Sequence, residues 1–185
     1  MSKKIERLAV SAVLIALAAV LSFVKVYQLP LGGAITLLSM LPIVLISARY
    51  GTLWGLASAF CYALVQLGTG LAELMSWGMT PVQWVGSIVF DYLLAFTAIG
   101  LAGVLASKGR IGLLVGSTLA LAMRFVSHFI SGTIFFAQWC PEGWNVAIYS
   151  VCYNGSYMLP ELIFTLIALG IITALPQGRR LMNLI

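Results

Sequence analysis

Charge is what this 185-residue chain lacks: 8% of it is Asp, Glu, Lys or Arg, against 62% hydrophobic residues. A soluble domain with so few charges would not stay in solution, and the mean hydropathy of +1.07 places the chain in a membrane. Histidine occurs once, at position 128, and the three cysteines, Cys61, Cys140 and Cys152, form no CxxC pair. That scarcity argues against both a metal centre and a disulfide framework. Cys61 and Cys152 fall in apolar runs and read as small packing residues. The sequence has no GxxxxGKS/T phosphate loop, no HExxH and no GxSxG elbow, so the chain is not its own ATPase, and motif-borne hydrolysis is excluded. Long polar stretches are missing too, and a single membrane domain over 1–185 is expected.

Six apolar runs are there instead: 8–24, 34–48, 53–72, 82–106, 111–137 and 146–175. A hydrocarbon core takes about 20 helical residues. Each run is therefore expected to span, the second being short and the sixth, with Pro160, long enough to tilt or kink. The expected fold class is all-α, a six-transmembrane-helix bundle. Lys3, Lys4, Arg7, Arg49, Lys108, Arg110, Arg179 and Arg180 fall on one side of such a bundle, and Lys25 lies on the other. Both termini are then cytoplasmic, and the outer loops are 27–33, 73–81 and 138–145. A basic start before an apolar run also fits a signal peptide; the length of 8–24 and the runs behind it favour a retained helix.

Ionisable residues inside such runs are costly unless paired or hydrated, and by default they mark function. Asp91 lies in the fourth run, Arg124 and His128 in the fifth and Glu161 in the sixth; Asn154, also in the sixth, is uncharged but costly when unpartnered. Counted from the outer ends at 1.5 Å per residue, Asp91 and His128 lie about 14 Å deep and Asn154 about 12 Å. Arg124, His128, Ser131, Phe135 and Gln138 share one helix face, as do Ser150, Asn154, Tyr157 and Glu161. Tyr92, Tyr149 and Tyr153 stand beside them. A carboxylate, an imidazole, a carboxamide and aromatic faces at one level suit a flat, nitrogen-rich, cationic ligand entering from outside. Arg124 and Glu161 lie on the cytoplasmic side of that level, where a structural ion pair is expected.

Blander readings stand beside these. His128 and Asn154 also suit hydrogen bonds between helices, and Asp91 suits pairing with Arg124. Trp77, Trp84, Trp139 and Trp144 suit an interfacial belt. Ala12 and Ala16, with Ala9 and Ala19 nearby, let helix one approach another helix closely, inside the chain or outside it.

The stretch HFISGTIFFAQWCPEGWNVAIYSVCYNGSY resembles the helix five to helix six region of the thiamine-specific substrate-binding subunits of energy-coupling factor transporters. The shared pattern is a histidine, a glycine four on and an aromatic four further, then Gly-Trp, Tyr-Ser and Asn-Gly. The LPI of helix two, an acidic-Tyr pair in helix four and the alanines of helix one extend the likeness. The resemblance implies a multi-pass subunit of the bacterial cell membrane that captures thiamine from outside and carries no cofactor. It implies docking on a transmembrane coupling subunit bound to two ATP-binding cassette ATPases, which use the ATP.

Residue by residue, the resemblance implies that His128, Tyr149 and Asn154 contact the ligand and that Gly132 lets it approach the helix. Asp91 and Tyr92 match the acidic-Tyr pair, with aspartate in place of the usual glutamate. Phe136 stands where tryptophan is common, and Trp139 and Trp144 are lid or stacking candidates. Gly33 and Thr36 stand where family members can carry a tryptophan and an acid. Ala12 and Ala16 match the face that docks on the coupling subunit, and loop 27–33 is expected to close over the vitamin. The alternatives are the same architecture for another vitamin or a thiamine precursor, a membrane-embedded enzyme using His128 and Asp91, and a scaffold without a ligand.

Overall fold

Backbone groups in hydrocarbon find no water, so apolar runs satisfy their own hydrogen bonds by coiling. The computed structural model describes residues 2–182. Its helices are α1 (Lys3–Phe23), α2 (Leu41–Tyr50), α3 (Thr52–Ser76), α4 (Pro81–Ser87), α5 (Ala95–Ala98), α6 (Gly109–Ile134), α7 (Val146–Ala174) and α8 (Pro176–Leu181). A π-helical stretch, Ile88–Leu94, joins α4 to α5, and a 3-10 stretch, Ile99–Lys108, leads on to α6. Among the described residues, four helical stretches are long and apolar enough to cross a membrane: Lys3–Phe23, Thr52–Ser76, Pro81–Ile134 and Val146–Ala174. The third, of 54 residues, would measure about 80 Å if straight. It turns back at Gly109, whose φ of 74° suits glycine alone.

The run 34–48 is not one helix. Ala34–Thr36 forms strand β2, paired antiparallel with β1 (Lys25–Gln28), and α2 begins only at Leu41. Pro42 lacks an N–H and is at home in a first helical turn. The Pro30–Gly33 corner bends at Leu31 (φ 62°) and Gly32 (φ 86°), making a hairpin of what hydropathy joins to the following helix. α3 in turn runs a full turn past residue 72, so Glu73 is helical rather than part of an outer loop. α4 then starts on a reciprocal cap, Thr80 accepting from the Gln83 N–H while the Gln83 side chain accepts from the Thr80 N–H.

Small residues bring the spans together. The Ser47 hydroxyl of α2 donates to the Gly100 carbonyl at 2.6 Å and accepts the Gly103 N–H at 2.9 Å. A Cβ on Gly55 or Gly100 would collide across the same crossing. Tyr62, Met40, Ile43, Ile46, Ile99, Leu113 and Leu169 fill the centre, while Val13, Leu53, Ile111 and Ile134 are among the large apolar side chains that face outward. Cys61 and Cys152 are exposed and unpaired on that exterior. They are not the core-packing residues that apolar surroundings suggested, because a helix in lipid is apolar on both faces.

Candidate functional site

The hairpin, α3, the π-helical stretch, α6 and α7 surround a cavity of about 230 Å³. A π turn carries one residue more than an α turn and often sits where a side chain must be re-aimed. Here it carries Asp91 and Tyr92, both of which line the cavity. The Ser127 hydroxyl fastens it to α6, donating to the Phe90 carbonyl at 2.6 Å.

Asp91 and His128 are in contact: Oδ1 lies 2.8 Å from Nδ1. The other carboxylate oxygen accepts the Ser131 hydroxyl. An ionised Asp91 could only accept, and beside it Nδ1 would carry the proton. His128 Nε2 is buried and has no hydrogen-bond partner among the described residues, although His128 lines the cavity. Asp91 does not pair with Arg124. The Arg124 guanidinium, also buried, sits 3.2 Å from Glu161 Oε2, against the Met40 sulfur and 4.5 Å from the centre of the Phe96 ring.

Asn154 lies beside His128 but is spent on the protein. Its amide donates to the Ser150 carbonyl at 2.9 Å, to the Ser150 hydroxyl at 3.2 Å and to the His128 carbonyl at 3.4 Å; its oxygen accepts from Tyr157 at 2.8 Å. Gly132 makes that crossing possible, since a Cβ there would run into the Ser150 hydroxyl and crowd the Asn154 amide. Tyr149, Tyr153 and Tyr157 form a column along α7 with ring centres 6.0 and 5.9 Å apart, and all three line the cavity.

Phe136, not Phe135, is the cavity aromatic of its segment. α6 ends at Ile134, and the Ser131 carbonyl accepts from both Phe135 and Phe136. The chain thereby leaves the helical phase, so Phe135 turns to Phe90 and Phe136 to the cavity. Phe136 packs between Trp77 at 5.7 Å and Trp139 at 5.3 Å. Trp139 supports it from behind, and Trp144, 55% exposed, meets Tyr149 in an edge-to-face pair at 6.3 Å. Neither tryptophan lines the cavity.

The hairpin forms a wall of the cavity and is tied to α7 at two points. Tyr153 accepts the Gly33 N–H at 3.1 Å and donates to the Pro30 carbonyl. Glu161 Oε1 accepts the Thr36 N–H at 2.9 Å and also the Thr36 hydroxyl. Glu161 thus joins Arg124 to the hairpin. Sequence reasoning missed Glu73 and Trp77 as cavity residues, because Glu73 was counted outside a helix that runs on to Ser76 and Trp77, the residue that ends it, was read as part of an interfacial belt. Ala12 and Ala16 are exposed, while α1 packs inward through Ser11, Ala18 and Ser22. Their face is therefore left uncovered by the described residues.

Residues 8–178 match the family described as Thiamine transporter protein (Thia_YuaJ). The thiamine transporter ThiT of Bacillus subtilis is 35% identical over 182 residues, which cover 91% of this chain and 90% of that protein. ThiT of Lacticaseibacillus paracasei is 24% identical over 154 residues, 75% and 73% of the two chains. A solved structure of ThiT from Listeria monocytogenes matches at a TM-score of 0.78 with 22% identity, covering 98% of this chain and 99% of its own, and so has the same fold. A transporter family with several long apolar helices makes this a multi-pass bacterial membrane protein and not an enzyme. By the match along nearly its whole length and the identity to the Bacillus protein, the chain belongs to the thiamine transporter protein family.

Proposed function

We propose that this chain captures thiamine from outside the cell as the substrate-binding subunit of an energy-coupling factor importer. In this reading it has six spans with both termini cytoplasmic, carries no cofactor, and works with a transmembrane coupling subunit and two ATP-binding cassette ATPases. Support comes from the family and from one local observation: His128, oriented by Asp91, keeps a buried nitrogen unpartnered at the wall of an aromatic cavity. Such an atom costs about 1–3 kcal/mol until something bonds to it, and the amino group of an aminopyrimidine is a fitting donor. Tyr149, Tyr153 and Phe136 offer ring faces to a thiazolium cation. Asp91 balances its charge, and Tyr92, Gly132 and Asn154 shape the floor.

The test is a titration of the purified protein with thiamine alone, read by tryptophan fluorescence; Trp77 borders the cavity and reports directly. Saturable quenching, with pyrimidine or thiazole fragments competing only weakly, is expected. A flat titration in well-folded protein would remove the thiamine assignment and point to another vitamin.

A further inference from the structure

At the other end of α1 from the cavity, the starts of α1 and the end of α2 enclose a recess lined by Lys3, Lys4, Glu6, Arg7, Arg49 and Tyr50. Arg49 is engaged there, donating to the Leu181 carbonyl at 2.7 Å and pairing with Glu6 at 3.4 Å. Arg7 is not. Its guanidinium lies over the Trp54 ring, 3.8 Å from the centre, and Trp54 is itself held by an indole N–H donating to Ser11 at 2.9 Å. Arg7 Nε and the Tyr50 hydroxyl are both buried and have no hydrogen-bond partner among the described residues. A guanidinium clamped against a ring with its donors unspent is pre-set for an oxyanion. Lys3 and Lys4 add charge, and the one carboxylate present is already shared with Arg49.

The recess lies just beyond the apolar part of α1, at the depth of lipid headgroups, where basic pockets between helices take acidic lipids. We propose that it binds the phosphate of an anionic lipid headgroup, Arg7 and Tyr50 donating to the phosphate oxygens while Lys3 and Lys4 supply field. A lipid bound there would offer acceptors to two donors that have none among the described residues.

Native mass spectrometry of the full chain, offered phosphatidylglycerol or phosphatidylcholine of matched acyl chains, tests this. One retained phosphatidylglycerol per chain is expected, with phosphatidylcholine retained far less. Arg7→Gln should lower retention about fivefold, the share of one basic residue near an anionic surface. The double variant Lys3→Gln/Lys4→Gln, at exposed positions where folding is not at stake, should lower it too, and Lys108→Gln, outside the recess, should leave it unchanged. Equal retention of the two lipids, unchanged retention in the recess variants, or the same loss in Lys108→Gln would overturn the proposal. Glycerol phosphate serves as the soluble arm. It is expected not to protect the protein against heating, and protection equal to that by the lipid would overturn the lipid assignment.

Discussion

His128 and Asn154 are neighbours with opposite circumstances. One keeps a nitrogen in reserve; the other has its amide donors shared among two carbonyls and a hydroxyl and its oxygen occupied by Tyr157. Their alanine variants should therefore fail differently. His128→Ala is expected to weaken thiamine binding by roughly 1–3 kcal/mol; it also frees Asp91, which borders the cavity and can take up water, so melting temperature should fall less than in the Asn154 variant. Asn154→Ala strips the α6–α7 contact and frees Tyr157, so melting temperature and affinity should fall together. Calorimetry and thermal unfolding on the same preparations separate the two. Depth counting was enough to bring Asp91, His128 and Asn154 to one level from the sequence. It could not tell which of them had spent its hydrogen bonds, because Ser150, Ser131 and Tyr157 compete for those bonds through geometry that spacing does not encode.

Among the elements, the hairpin decides access to the cavity wall. Thr36→Val removes a hydroxyl that bonds to Glu161 and leaves the backbone bond in place. The expected result is faster thiamine release, by the several-fold that about 1 kcal/mol implies, with the association rate little changed. Stopped-flow fluorescence reads both rates, and an unchanged release rate would mean that the hairpin carries no load at Thr36. Hydropathy was a good guide to the long helices, whose cores fall within a few residues of the apolar runs. It misread 34–48, since Ala34, Ile35 and the helix that follows are equally apolar and the change of period takes up only three residues. The π turn at Ile88–Leu94 was likewise hidden, because a one-residue widening leaves no compositional trace.

The apolar exterior of the described residues is interrupted on α1 by an exposed face of small residues. If that face receives the coupling subunit, Ala12→Trp and Ala16→Trp should leave thiamine titrations unchanged and abolish both co-purification with the coupling subunit and uptake into cells. Loss of binding in the isolated variants would place the alanines in the fold instead. Half of the positive charges that suggested orientation, Lys3, Lys4, Arg7 and Arg49, gather at the recess below α1, so by our proposals the same residues would both orient the chain and grip the bilayer.

The π turn also bears on inheritance. Losing one codon between Ile88 and Asp91 would erase no residue that touches the cavity. The extra residue of the wide turn would be gone, however, and Asp91, inside that turn, would be re-aimed while the helical segments on either side kept their phase. A descendant with that deletion should insert and fold while Asp91 no longer meets His128, and thiamine titration of a Val89 deletion shows this directly. Among relatives, then, a preserved set of site residues is no guarantee of a preserved site, and the length of this one segment is as heritable a requirement as the identity of any side chain in it.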